Sequence, residues 1–368
     1  MQKIKVLALA AMLLAVAGAL VWHYVGQRNE PLKPQEQVIG EIDSELQALT
    51  AKGFAGTLLL VQGEKILLNH GFGIADRSTG RAVTTETGFD IGSLVKPFTA
   101  AAILKLEGQG KLRRSDPITK FFSDVPPDKG QITVQELLTH TSGLPDIVDA
   151  ESREIEYTPN FDYEPVSRDE IVRRALHAKL VNTPGTKSEY SNLGYSLLGV
   201  IIELASGEPY EQFVRESIFQ PAGMTRTGYR DPGWKTSELA VGYSKGQAWG
   251  TPLDHPWLAD GPSWNLRGNG GMLSTAEDLY KWIEALDEGK ILSPAEKQAF
   301  FAFNVHANQR GTRTMGAAGS NEIFDACYLW YVDEHRVLVM LTSSDKYRAE
   351  KMIPDLAKKM RSMRLSGE

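Results

Sequence analysis

The chain has 368 residues, of which 42% are hydrophobic and 23% charged, with 34 Gly, 18 Pro and a single Cys. That is the composition of an ordinary globular protein with room for one large domain or two medium ones, and it excludes a disordered, collagen-like or disulfide-stapled chain. The net charge of -6 argues against nucleic acid as the partner, because phosphate binding needs a clustered excess of Lys and Arg. The longest basic run, Lys111-Leu112-Arg113-Arg114, reads as a solvated surface patch.

Lys3 and Lys5 precede an uncharged apolar stretch over residues 6–25, the pattern of an export signal. Two fates are open. The runs Ala15-Val16-Ala17 and Ala17-Gly18-Ala19 offer cleavage sites. Uncut, the stretch is long enough, at roughly 30 Å, to cross one hydrocarbon core, with Trp22 and Tyr24 at the interface. The apolar run continues past the cleavage candidates, which favours the anchor. Both fates place the remaining chain outside the cytoplasm, in the periplasm, with residues 1–26 as signal or anchor.

Residues 27–37, polar and with two prolines, read as a linker, and residues 38–366 as one domain. Val38, Ile39, Ile42, Leu46 and Leu49 recur at helical spacing,, and Gly53 closes that helix. Two β-rich runs, residues 56–62 and 65–70, are split by Gly63-Glu64, which fits a tight hairpin. Over about 97–273 helical patterns alternate with Gly/Pro loops: residues 98–107, 133–140 and 193–205. A further helix, residues 274–286, is expected to start at Ser274 with Glu277 completing a capping box. Strand patterns return at residues 323–332 and 336–342 around a turn at Asp333-Glu334-His335, and an amphipathic helix closes the chain over about 347–363. Strands at both ends with helices between predict an α+β fold of the α/β class. Its antiparallel sheet is assembled from N- and C-terminal strands, flanked by helices, and carries an inserted, mainly helical region. Cys327, in the strand-like F-D-A-C-Y-L-W-Y-V, reads as a buried small hydrophobe.

Two Ser-x-x-Lys patterns occur, and about one is expected by chance in a chain this long. Ser343-Ser344-Asp345-Lys346 ends a strand and reads as a loop. Ser93-Leu94-Val95-Lys96 opens an apolar helix, where residues three apart share a face. Lys96 then lies against the Ser93 hydroxyl, a poor nucleophile until a base takes its proton. The helix N-terminus adds backbone N–H groups for an oxyanion. Tyr190-Ser191-Asn192 is the one Tyr-x-Asn in the chain. Its phenol suits proton transfer, and its amide can donate to a substrate carbonyl and to Lys96. Ser191 or Asn192 could equally be a helix N-cap.

The string F-D-I-G-S-L-V-K-P-F-T-A around Ser93 resembles the nucleophile helix of class C β-lactamases and their penicillin-binding and esterase relatives. P-G-T-K-S-E-Y-S-N-L-G-Y-S-L-L-G resembles the Tyr-x-Asn segment of the same family. L-L-T-H-T-S-G-L-P-D (residues 137–146) and G-N-G-G-M-L-S-T-A-E-D-L (residues 268–279) are further family strings in the right order. The resemblance implies Ser93 as acyl-enzyme nucleophile, Lys96 as its partner, Tyr190 as general base and Asn192 as a substrate-binding residue. In the family the segment holding His140 is structural, so His140 reads as a loop histidine with internal hydrogen bonds.

The family's third motif, Lys-Thr-Gly or His-x-Gly on the strand bordering the cleft, is replaced by Ala317-Ala318-Gly319. The backbone function is retained, with Gly319 and Ser320 lining the substrate and the Ser320 N–H completing an oxyanion hole with that of Ser93. The cation that would hold a substrate carboxylate by a charge-assisted bond is absent; Arg313 is the nearby candidate to replace it. The expectation is a serine hydrolase acting on a small molecule or peptide with an ester, amide or lactam bond. An esterase, amidase or peptidase is favoured over a β-lactamase or D-Ala-D-Ala carboxypeptidase. A non-catalytic binding protein on the same scaffold is the other class. Gly242-Tyr243-Ser244-Lys245-Gly246 matches G-x-S-x-G but is followed by no helix, as a nucleophile elbow requires. The seven histidines show no H-E-x-x-H or paired-ligand spacing,, so no metal and no other cofactor is expected.

Overall fold

The computed structural model describes residues 32–363 apart from 159–160, 256–257, 260, 308–310 and 345. The proposed signal or anchor segment lies outside the described residues. Helix α1 (Gln35–Thr50) leads into strands β1 (Gly56–Gln62) and β2 (Lys65–Phe72). Four strands come from the C-terminal third: β3 (Val305–Ala307), β4 (Arg313–Ser320), β5 (Asp325–Tyr331) and β6 (Arg336–Thr342). They form one antiparallel sheet ordered β2-β1-β6-β5-β4-β3. β1 pairs with β6 from Gly56↔Thr342 to Gln62↔Arg336, so the two ends of the chain meet at the centre of the sheet, as the strand distribution predicts.

Alternation along the strands feeds two cores. Leu58, Leu60, Cys327, Leu338 and Met340 pack against Val38, Ile42 and Leu46 of α1 and Ile353, Leu356 and Met360 of helix α8 (Ala349–Arg361). Leu59, Val61, Ala326, Tyr328, Val337, Val339 and Leu341 point the other way, into the larger core. Both faces are covered, which is why β1 and β6 read as continuous apolar runs. Burial holds the Cys327 thiol well above its ordinary pKa, consistent with an inert core residue.

The inserted region supplies helices α2 (Val95–Gly108), α3 (Val134–Leu138), α4 (Arg168–His177), α5 (Asn192–Ser206), α6 (Ala276–Asp287) and α7 (Pro294–Asn304). Helix α2 is buried nearly all round, as expected of a central helix with no polar face. Its Phe98 ring meets Trp282 edge-on at 4.8 Å, and Trp282 in turn meets Phe300 at 5.9 Å. This aromatic chain ties α2, α6 and α7 together.

Two expectations need correcting. The linker ends earlier: Lys33 already pairs with Met363, its N–H donating to the Ser362 carbonyl, and α1 starts at Gln35. Pro34 fits there because N–H groups before the first turn have no helical partner anyway. Thr275, not Ser274, caps α6, its hydroxyl accepting from the Asp278 N–H. Ser274 is instead drawn into a two-residue strand opposite Phe89. Ser244 sits in a hairpin of Gly242–Ser244 and Gln247–Gly250, so that motif is a turn, as its flanks predict.

Replacing Trp282 by alanine removes the centre of the aromatic chain and should destabilise the fold by about 3–5 kcal/mol, read as a lowered midpoint in urea. An unchanged midpoint would show that the helical layer does not depend on this contact.

Candidate active site

Ser93 lies in a single 3-10 turn, Gly92–Leu94, that runs directly into α2. One turn on, Lys96 is 6% exposed, and its Nζ is 3.0 Å from Ser93 Oγ. The Tyr190 hydroxyl, 97 positions away in sequence, lies 2.7 Å from Ser93 Oγ. Lys96 Nζ also donates to Asn192 Oδ1 at 2.7 Å and to the Asn269 carbonyl at 2.7 Å. Three acceptors match the three protons of an ammonium. The same Nζ lies 4.9 Å from the centre of the Tyr190 ring, so the charge is close to the phenol as well as to the serine. Asn192 therefore accepts from Lys96 rather than donating to it, a reversal of the expected role that leaves its Nδ2 as the group with donor chemistry.

The segment over residues 137–146 is the mould for the Tyr190 loop. His140, at φ 56°, accepts from the Ser191 N–H through Nδ1 at 3.1 Å, while its carbonyl accepts from Glu189 N–H at 2.8 Å. The Pro145 carbonyl accepts from Ser191 Oγ at 2.7 Å, and Asp146 Oδ1 accepts from Asn192 N–H at 2.9 Å. Ser191 itself caps α5, accepting from the Gly194 N–H. The His140 ring stacks on Tyr190 with centroids 4.7 Å apart. Burial, with the Lys96 charge adding to it, depresses its pKa to about 3, so the imidazole is neutral and acts as scaffold. Burial pushes the Asp146 carboxyl up to about 6 against its hydrogen bond from Asn192 N–H and the Lys96 charge.

A second mould holds Lys96 from behind. Asn269, whose carbonyl takes the lysine proton, is fixed by Nδ2 bonds to Ser196 Oγ at 2.8 Å and the Asn265 carbonyl at 2.6 Å. Thr99 donates to the neighbouring Gly268 carbonyl at 2.7 Å. The string around Gly268 marks this region in the sequence, but a backbone carbonyl leaves no residue-type signature of its own.

The far wall is the C-terminal end of β4. A Cβ on Gly319 would lie 2.1 Å from the Ile91 carbonyl oxygen and 2.6 Å from Ser93 N. One on Gly92 would lie 2.6 Å from Ser320 N. The strand thus passes flat against the nucleophile turn, and only glycine fits at both positions. The Asn321 N–H donates across the hairpin to the Phe324 carbonyl, so alternation of N–H groups along a strand turns the Ser320 N–H to the opposite edge, toward Ser93. Arg313 does not replace the missing cation. It sits four residues up the strand from Ala317, roughly 13 Å away, and is ion-paired with Asp333. The cation beside Ser320 is Arg348, which donates to Ser320 Oγ at 2.8 Å and to Asp325 at 3.0 Å; nothing in the local sequence pointed to it.

A nucleophile turn, a Tyr-x-Asn loop and a glycine-edged strand converge here on one hydroxyl, and residues 42–357 match the Beta-lactamase family. The chain belongs to that family. It is 33% identical over 278 residues to the protein PbpX of Bacillus subtilis (strain 168), covering 74% of this chain and 66% of that one. The chain spans 57–69% of the length of three curated relatives it matches. Among solved structures, the octameric penicillin-binding protein homologue from Pyrococcus abyssi superposes with a TM-score of 0.74 at 24% identity, over 90% of this chain and 78% of that one. The D-amino acid amidase from Ochrobactrum anthropi SV3 superposes at 0.71 and 24% identity, over 89% and 98%. The mixed fold with a central antiparallel sheet flanked by helices is therefore that of the β-lactamase and penicillin-binding proteins.

The depressed His140 pKa has a stability consequence. Its folded value lies below its unfolded value near 6.5, so the folded state binds fewer protons and loses stability as pH falls from about 6.5 toward 3. His140→Asn, compatible with the positive φ, should show a smaller drop in Tm over that interval than the unsubstituted protein. Parallel Tm curves would mean that the ring charges in the folded state.

Proposed function

We propose that the protein is a serine hydrolase that forms an acyl-enzyme on Ser93 and transfers the acyl group to water. Support comes from one geometric fact above all: Ser93 Oγ lies between the Tyr190 hydroxyl at 2.7 Å and the Lys96 ammonium at 3.0 Å. The lysine already has three acceptors, so it acts as a fixed charge that favours the phenolate of Tyr190, and Tyr190 is the base.

In the proposed reaction Tyr190 Oη takes the Ser93 proton as Oγ bonds to the substrate carbonyl carbon. The carbonyl π pair moves onto oxygen, held by the Ser93 and Ser320 N–H groups. Collapse expels the alkoxide or amine, which takes the proton from Tyr190. Water then attacks the acyl carbon, gives its proton to Tyr190, and the phenol returns that proton to Ser93 Oγ as the acid leaves. Asn192 Nδ2 binds the acyl side of the substrate, with Gly319 and Ser320 along the opposite edge.

The substrate class follows from what β4 lacks. Alanines at 317 and 318 present neither cation nor hydroxyl, and Arg348 is bound to Asp325 with Glu350 3.4 Å away. Two carboxylates around one guanidinium do not favour an anionic substrate. The reading is an esterase or amidase for acyl groups without a carboxylate next to the scissile bond, in preference to a β-lactamase or D-Ala-D-Ala carboxypeptidase.

The decisive comparison uses short-chain p-nitrophenyl esters, a fluorescent penicillin and a fluorophosphonate. Ester turnover with fluorophosphonate mass on Ser93, and little penicillin labelling, is expected. Ser93→Ala should abolish the adduct, and Tyr190→Phe and Lys96→Ala should lower kcat about 10²–10⁴-fold. Efficient penicillin acylation would reverse the substrate preference. No adduct with any reagent would favour a binding protein.

The apolar stretch over residues 6–25 supports an exported domain facing the periplasm, tethered if uncut. Among the described residues no helix is long and apolar enough to cross a membrane. Fractionation of the full chain should find it in the periplasmic or inner-membrane fraction; recovery in the cytosol would remove the export reading.

A further inference from the structure

The outer edge of β4 is paired with β3 only from Arg313 to Met315. Its last five residues, which carry Gly319 and Ser320, lie against the Gly92–Leu94 turn without a ladder. Among the described residues, one hydrogen bond crosses from that turn and its approach to this strand and the hairpin after it. Asp90 and Asn321, 231 positions apart, make it: Asn321 Nδ2 donates to Asp90 Oδ2 at 3.0 Å. The other oxygen, Asp90 Oδ1, accepts from the Gly92 N–H at 2.7 Å. On the far side Asn321 Oδ1 accepts from the N–H groups of Ile323 and Phe324 at 3.1 and 2.8 Å. Both side chains are buried.

We propose that Asp90 and Asn321 are positioning residues, a clamp that fixes the spacing between the Ser93 and Ser320 N–H groups in which the developing oxyanion sits. The inference rests on the acyl-transfer reading above. The clamp has no slack. Each carboxylate oxygen bonds to one of the two facing segments, and Asn321 cannot turn its amide over without losing two backbone donors and presenting oxygen to a carboxylate. Asp90 pays for its place in stability, since burial pushes its carboxyl up to about 7 even with both hydrogen bonds holding it down. Among the described residues no cation stands against it; a buried acid in that setting is poor structural material and is the kind of group a functional site retains.

The test exploits the polarity of the bond. In Asp90→Asn the new amide faces the Asn321 amide, donor against donor. In Asn321→Asp two carboxyls meet. In the swap Asp90→Asn/Asn321→Asp every bond is restored: Asn at 90 accepts from Gly92 and donates to Asp at 321, which still accepts from Ile323 and Phe324. Steady-state kinetics on a p-nitrophenyl ester would be run beside the affinity for phenylboronic acid, whose tetrahedral adduct places an oxygen in the same hole. Each single variant should lose about 10–100-fold in kcat, with KM within about threefold, and bind the boronate more weakly by a similar factor. The swap should return kcat and boronate affinity to within about threefold of the unsubstituted protein. Wild-type kcat in Asp90→Asn, or a folded swap as impaired as the single variants, overturns the clamp. Where a single variant does not fold, the swap decides alone: recovered kcat supports the clamp, and low kcat or failure to fold refutes it. If the unsubstituted protein itself forms no adduct and turns over no ester, the acyl-transfer reading has failed rather than the clamp.

Discussion

A buried ammonium must be met by acceptors, and this requirement organises the site. Lys96 is nearly enclosed, and its three acceptors come from its own helical turn, from Asn192 at the start of α5 and from the Asn269 carbonyl before α6. An uncompensated charge at that depth would cost several kcal/mol, so none of the three segments can drift without penalty. Each is fixed in turn by a layer of polar contacts: Asp146, Ser191 and His140 behind Asn192, and Asn265 and Ser196 behind Asn269. The same ammonium that demands this scaffold stands beside the phenol and the serine. The stability requirement and the proposed chemistry therefore meet in one atom.

The sheet contributes a different kind of constraint. Meeting of the chain ends at β1 and β6 makes a rigid, doubly covered slab, and β4 is carried on it as a straightedge. The nucleophile turn approaches so closely that a single Cβ at Gly92 or Gly319 would overlap backbone atoms. Backbone donors can be aimed from such an edge with no side chain involved. That is why the replacement of the family's basic third motif by Ala317-Ala318 alters the charge offered to a substrate while leaving the strand's N–H geometry in place.

Much of this was legible in the linear chain because it depends on local chemistry. Period-two and near-continuous apolar runs marked β1, β5 and β6, a featureless apolar stretch marked α2, and the distribution of strands to both ends implied how the sheet is assembled. Ser93, Lys96 and Tyr190 were recognisable by residue type, spacing and resemblance. The departures from the linear reading have a common source. Ser274 has the residue type of an α6 cap but is claimed by a long-range pairing with Phe89, and Arg313 has the charge of the missing cation but is held by Asp333. Asn192 accepts rather than donates because Ser93 and the Asn269 carbonyl take the other two ammonium protons, a count that residue type does not reveal.

The sequence alone determined the central strands and the main helices, that a serine–lysine turn opens a buried helix, and that alanines stand at 317 and 318 where the family carries its cation and hydroxyl. Those properties reside in neighbouring residues and in periodicity. Only the tertiary structure decided that Tyr190 lies 2.7 Å from Ser93, that the Asn269 carbonyl completes the lysine's shell, that Arg348 rather than Arg313 stands beside Ser320, and that Asp90 reaches Asn321. Each is a contact between residues tens to hundreds of positions apart, one of them through a backbone atom that every residue possesses. Packing geometry, not residue type, selects which of the many possible partners is within reach.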